Sequence, residues 1–336
     1  MKVPQTFLLA TMSSALRPSV HAFPKSPAAT ASNPTTNVID LAYVESSGDT
    51  ASISSPTTLL IHGLDSSSHT WRGVQESLST PSVAIDCRGC GRSALGDPSK
   101  FGPDAIVEDV KRLVDTHPLL KERKFVLVGH SMGGRVGMCY AAKYPEDVSA
   151  LVVEDMDIRR RSVGSNFIPN FDATKAISFE RRHDSLESVR KAVREIGYPP
   201  DMVEKWISEG RIYQQDEVSE EGGKGQYFWS EVNPAFRALC YETIFDSDSG
   251  TESWNTIARH LKHGASNMSL HLKVAGIGTV CNEACIEEMQ KVIEGDRLVV
   301  KTYPEGTHSI HNSAREEFMS DLERIIEDSA KQSAKL

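Results

Sequence analysis

Val126-Leu127-Val128-Gly129-His130-Ser131-Met132-Gly133-Gly134 decides how this chain is read. An apolar, β-branched run leads straight into Gly-x-Ser-x-Gly (Gly129 to Gly133), and helical sequence follows from about Arg135 to Lys143. Strand, sharp turn and helix in that order present a serine hydroxyl above the carboxyl edge of a parallel sheet. The turn draws strand and helix backbones too close together for side chains, which is why glycine flanks the serine. On a surface loop the same pentapeptide would be an ordinary flexible turn. The strand before it and the helix after it argue against that reading.

Working outward, strands are expected at Asn37 to Glu45, Thr57 to Ile61, Ser82 to Asp86, Ala150 to Val153, Leu270 to Ala275 and Arg297 to Val300. Helical spacing marks Asp104 to Thr116, Glu283 to Ile293 and Ala314 to Asp328. Alternating strands and helices predict an α/β fold with a mostly parallel, doubly wound sheet. Residues 158–255 interrupt this rhythm; they are charged, helical in pattern and broken by Pro199-Pro200, Gly222-Gly223 and Gly225. They read as an inserted helical cap. The core then comprises an N-terminal part, 37–157, and a C-terminal part, 256–336. In the cap, Trp206, Phe228, Trp229, Phe236 and Tyr241 either line an acyl pocket or pack the cap onto the core. Packing is the commoner use of such aromatics, with Trp229 the candidate pocket residue. Arg159-Arg160-Arg161 and Arg181-Arg182 either grip an anionic substrate or form solvated faces.

The 336 residues are 25% charged and 39% hydrophobic, with a formal net charge of −9. An acidic total disfavours nucleic acid as the main partner. No apolar run approaches the roughly 20 residues that cross a bilayer as a helix. Residues 1–36 read as a targeting presequence: Lys2, a modest apolar stretch from Phe7 to Ala10, and small residues at Val20-His21-Ala22 before a cut after Ala22. Ala22-Phe23-Pro24 resembles the junction of bipartite presequences that deliver proteins to algal secondary plastids; a secretory signal, a mitochondrial leader or a plain disordered tail are the alternatives. Six cysteines include Cys87-x-x-Cys90 and Cys281-x-x-x-Cys285. A zinc site is the lesser reading, since the first pair sits in a glycine-rich turn with no other zinc-ribbon feature.

A serine hydroxyl is a weak nucleophile at neutral pH and needs a base, which in turn needs an orienting acid. With a serine elbow, the chain order is serine, acid, histidine. His308, in Gly306-Thr307-His308-Ser309-Ile310-His311 after the last strand, is the candidate base; His311 is the runner-up and otherwise a pocket residue. The acid has three candidates. Asp155, closing the strand that ends Val153-Glu154-Asp155, comes first, then Glu283, then Asp157. Backbone amides of Met132 and Leu64 are the expected donors to the oxyanion, with His62-Gly63 shaping the second loop and His130 beside the nucleophile. Asp86-Cys87-Arg88-Gly89-Cys90-Gly91-Arg92-Ser93 reads as a structural turn. This chemistry calls for no metal or organic cofactor.

With His62-Gly63, the Asp86 to Ser93 turn, the Gly129 to Gly134 elbow and His308 in this order, the chain resembles the α/β-hydrolase superfamily over roughly residues 40–330. Within it, Gly129 to Arg135, Glu154-Asp155-Met156 and Phe228-Trp229-Ser230-Glu231-Val232-Asn233-Pro234-Ala235 resemble the esterase branch of α/β-hydrolase domain-containing protein 11. Thr307 stands where that branch has glycine, and Asp65 replaces an apolar residue. The resemblance implies a serine esterase or thioesterase acting on a small-molecule acyl ester or thioester. The alternatives are a carbon–carbon bond hydrolase or lyase with the same triad, and a ligand receptor that keeps the triad without turnover.

Overall fold

A computed structural model describes residues 38–48, 55–162, 168–218 and 224–333. The expected presequence and its cut after Ala22 lie outside the described residues. Seven strands form the main sheet: β1 (Tyr43–Ser46), β2 (Thr58–Ile61), β3 (Ser82–Ile85), β4 (Phe125–His130), β5 (Val148–Glu154), and, beyond three strands in the insertion, β9 (Ser269–Ala275) and β10 (Leu298–Tyr303). Their order is β1-β3-β2-β4-β5-β9-β10, with β1 antiparallel and every other pairing parallel.

The central strands are apolar on both faces because both faces are covered. In β2, Leu59 and Ile61 enter one core and Leu60 the other; in β4, Leu127 opposes Val126 and Val128 in the same way. Helices Pro103–Thr116, Met132–Lys143 and Ser249–Lys262 close the first core. Helices Arg72–Ser77 and Arg315–Ser333 close the second. Sequence alone starts the first strand at Asn37, whereas β1 starts at Tyr43, paired with Ile85. Beyond Ile85 the partner strand turns away into Asp86 to Ser93. The preceding residues are held by side chains instead: Ile39 N donates to Asp109 Oδ1 at 2.9 Å and Ala42 N to Ser93 Oγ at 2.9 Å.

The insertion differs from an all-helical cap. It contains a three-stranded antiparallel sheet, β6 (Arg182–His183), β7 (Ile212–Val218) and β8 (Lys224–Ser230), in the order β6-β8-β7. Helices Leu186–Ile196 and Pro200–Ser208 pack with it around Val189, Val193, Val203, Trp206 and Ile212. Its C-terminal limit also shifts. Residue 255 falls inside helix Ser249–Lys262, whose Trp254 and Ile257 belong to the main core.

Candidate active site

The Gly129–Gly133 turn is set by steric contact. A Cβ on Gly129 would lie 2.2 Å from the Gly133 carbonyl oxygen, and one on Gly133 would lie 2.3 Å from that of Ile61. Only hydrogen at both positions lets the helix start pack against the end of β2. Ser131 is thereby forced to φ 53° and ψ −120°, a conformation L-residues rarely adopt. Its N–H donates to Glu154 O at 2.8 Å, which ties the turn to β5.

Ser131 Oγ lies 2.9 Å from His308 Nε2, and His308 Nδ1 lies 2.7 Å from Asp155 Oδ2. Asp155 also has positive φ, 46°, as the chain leaves β5. Its carboxylate is surrounded by donors: Ala275 N at 3.1 Å and Thr279 Oγ1 to Oδ1, and Val280 N at 3.2 Å to Oδ2. Burial pushes this carboxyl up, but the His308, Thr279 and Ala275 hydrogen bonds outweigh it and hold Asp155 below its ordinary range. Asp155 therefore stays ionised, and fixes His308 Nδ1 as the protonated nitrogen. His308 Nε2 is left as an acceptor facing the serine.

Beneath lies a second layer. His130 Nε2 is 2.9 Å from the His308 carbonyl oxygen, and its ring centroid is 4.8 Å from that of His308 and 5.1 Å from that of His311. Burial above all pushes His130 down to about 3, so it is a neutral brace under the base. His311 does not face a pocket. It is fully buried against Trp71, with Nδ1 2.8 Å from Glu154 Oε1 and Nε2 2.8 Å from Thr70 Oγ1. Glu154 and Asp155, adjacent in sequence, each hold one histidine of the same loop.

On the other side, His62 is also wholly buried. Its Nδ1 lies 2.7 Å from Gly63 O, and its Nε2 accepts from Cys87 N at 3.1 Å, joining the loops after β2 and β3. A Cβ on Gly63 would meet His130 Nδ1 at 2.8 Å and Ser131 Cβ at 3.1 Å, so this loop lies directly against the serine. Leu64 follows it. The Met132 amide opens helix Met132–Lys143 and so has no acceptor within the helix. Asp65, at φ 50°, is clamped by the insertion. Arg237 Nε donates to its Oδ2 at 2.8 Å, with a second guanidinium bond to the same oxygen, and Tyr198 Oη donates to Oδ1 at 2.8 Å. The three residues span 172 positions of sequence. Their only signal there was that Asp65 is an odd residue after Gly-Leu.

The other candidates lie elsewhere. Glu283 is exposed on the first turn of helix Glu283–Val292, away from the His308 nitrogen that Asp155 occupies. Asp157 is taken by Arg161 at 2.9 Å and by the Cys285 thiol at 3.1 Å. Trp229 does not belong to a pocket beside the serine: its indole N–H donates to Gly91 O at 3.1 Å, and Arg181 stacks on its ring at 4.4 Å. Asn233 likewise bonds Gly89 O at 2.9 Å, so the Trp-then-Asn signature fastens the insertion to the glycine turn. Arg159, Arg160 and Arg182 pair with Glu288, Asp246 and Glu217, and Arg181 donates to backbone carbonyls. The Asp86 turn is internally bonded, with Arg92 N on Asp86 Oδ2 at 3.0 Å and Ser93 Oγ on Asp86 O at 2.7 Å. All six cysteines are buried thiols. Among the described residues no three His, Cys, Asp or Glu side chains gather as a metal site, and no helix is long and apolar enough to cross a membrane.

The family model for the alpha/beta hydrolase fold matches residues 56–190. The chain is similar to the sn-1-specific diacylglycerol lipase ABHD11 of Danio rerio, at 29% identity over 51% of each protein. It is also similar to an esterase of Mycobacterium tuberculosis, at 33% identity over 31% of this chain and 34% of that protein. It thus spans about half or less of the length of these curated relatives. Among solved structures, a marine microorganism esterase superposes with a TM-score of 0.60 at 16% identity, covering 85% of this chain and 99% of that one.

Proposed function

The chain belongs to the α/β-hydrolase superfamily, and from that premise we propose that it is a serine hydrolase of carboxylic esters or thioesters. The observation that carries this reading is the unbroken line Ser131 Oγ, His308, Asp155, with hydrogen-bond distances of 2.9 and 2.7 Å. The likeness to proteins named as a lipase and an esterase supports ester bonds as the target.

Ser131 Oγ attacks the acyl carbonyl as its proton passes to His308 Nε2. The imidazolium that forms is stabilised by Asp155, whose low pKa keeps it charged. The Leu64 and Met132 amides receive the oxyanion; one such donor is typically worth about 3 kcal/mol. Collapse of the intermediate breaks the bond to the alcohol or thiol, which leaves with the proton from His308. An acyl-Ser131 ester remains. Water, deprotonated by the same nitrogen, releases the carboxylic acid and restores the serine. Replacing Ser131 by Ala should lower hydrolysis of p-nitrophenyl butyrate by at least about 10³-fold while the fold persists. Turnover that survives Ser131→Ala unchanged overturns the reading.

A further inference from the structure

Beside the loop that carries His308 lies a cleft of about 560 Å³ that the hydrolytic steps do not use. Thr307 and Ser309, the two neighbours of His308, form part of its wall. Arg72 and Arg315 face it from the core, and Lys205 and Arg211 from the insertion. Glu76 and Glu209 are the carboxylates that line it. Glu76 is 2.8 Å from Arg72, while Glu209 is shared at long range by Arg211 (3.4 Å) and Lys205 (3.7 Å). Arg315 makes no ion pair among the described residues; its guanidinium donates to Asn312 Oδ1 at 3.5 Å and lies over Gly73, where a Cβ would meet it at 2.4 Å. One terminal nitrogen of Arg211 is buried with no hydrogen-bond acceptor among the described residues. Burial, followed by the Arg211 and Arg72 charges, holds the remaining ionisable wall residue, His69, below its ordinary range. Four cations therefore face two carboxylates here, in a protein whose net charge is −9.

Two more cations than carboxylates around one cleft suit a planar or tetrahedral anion, which arginine binds through paired hydrogen bonds. Building on the ester-hydrolase reading, we propose that this cleft binds an anionic group, carboxylate or phosphate, carried by the substrate, and so selects acid-bearing esters or thioesters. The cations come from three separate stretches, at residue 72, at 205–211 and at residue 315, so no single run of sequence announces them. The arginine runs that do stand out in the sequence are occupied elsewhere.

Two matched pairs test this on the full chain. p-Nitrophenyl hemiglutarate against p-nitrophenyl pentanoate places a carboxylate on the acyl side. Butyryl-coenzyme A against S-butyryl-N-acetylcysteamine places phosphates on the leaving side. The expected result is an advantage in kcat/KM of about tenfold or more for the anionic member of at least one pair, the scale of one charged hydrogen bond. That ratio should shrink in Arg211→Gln and in Arg315→Gln, and with added NaCl. The pair that responds identifies the source of the anion. Equal kcat/KM within both pairs, or variants that lower both members alike, overturns the proposal. Calorimetric binding of succinate and of inorganic phosphate gives a reading without turnover. Should no ester be hydrolysed, the hydrolase reading fails by itself. In that case anion binding weakened by either substitution upholds the cleft, and absent or unweakened binding overturns it.

Discussion

Replacing Arg237 by Met removes the cation that holds Asp65 against the insertion. Both side chains are about nine-tenths buried, with exposures of 10% and 9%. Burial disfavours the guanidinium charge, yet Asp65 outweighs it and holds Arg237 above its usual range. In Arg237→Met, Asp65 keeps the Tyr198 hydroxyl but loses two charged hydrogen bonds and its counter-charge. An uncompensated buried carboxylate of this kind costs about 3–5 kcal/mol. Asp65 immediately follows Leu64, so relaxation of its positive-φ backbone moves the proposed oxyanion amide. A full loss of that donor costs about 3 kcal/mol in the transition state, which sets the ceiling on the fall in kcat. Urea denaturation and p-nitrophenyl butyrate kinetics measure the two effects. The double variant Asp65→Asn with Arg237→Met removes the orphaned charge and should recover at least about 2 kcal/mol of the stability lost. Arg237→Met within about 1 kcal/mol of wild type, or a double variant less stable than the single one, shows that Asp65 does not depend on Arg237 for its charge.

The acid of the triad is tested by comparing Asp155→Asn with Glu283→Gln. Either orientation of the new amide sets an NH2 against donors at Asp155, so kcat should fall about 10³- to 10⁴-fold, whereas Glu283→Gln, on an exposed first turn, should change it less than about twofold. A larger loss in Glu283→Gln reverses the assignment. Asp321 concerns stability. Burial pushes its carboxyl up, but the Lys301, Tyr303 and Lys273 contacts prevail and hold it down to about 2, against 3.8 for the free side chain. A depressed carboxyl contributes stability that is fully present above the unfolded value and is lost as pH falls through the folded one, here between about 4 and 2. Asp321→Asn should flatten the fall of stability in that window; parallel acid-unfolding curves for the two proteins contradict this.

The parts of the fold legible in the sequence are those where one segment carries its own reason. β2, β4 and β5 are buried on both faces, so each carries an apolar stretch, Leu59 to Ile61, Phe125 to Val128 and Ala150 to Val153. The glycines at 129 and 133 are legible because no other residue fits where the Gly133 and Ile61 carbonyls press. Asp155 and His308 stand out by following strands at the same sheet edge, and the folded chain places both within hydrogen-bond reach of one line to Ser131. What escapes is pairwise. β7 carries Gln214, Gln215, Asp216 and Glu217 on a largely exposed sheet, so it lacks the apolar alternation of a strand and passes for broken helix. The Asp65–Tyr198–Arg237 clamp and the cation-lined cleft join distant segments, and a contact across more than a hundred residues leaves no periodicity to read. His311 shows the same limit. Its position three residues after His308 suggests a spare base or a pocket residue. Its burial under Trp71 depends on Glu154, more than 150 residues away in sequence, taking its ring and backbone N–H.

Mass-spectrometric mapping of the adduct left by an alkyl fluorophosphonate on the wild-type protein tests whether Ser131 is the nucleophile. One covalently modified residue is expected, Ser131, with labelling abolished in Ser131→Ala and strongly slowed in His308→Ala. An adduct on another residue, or undiminished labelling of Ser131→Ala, contradicts it.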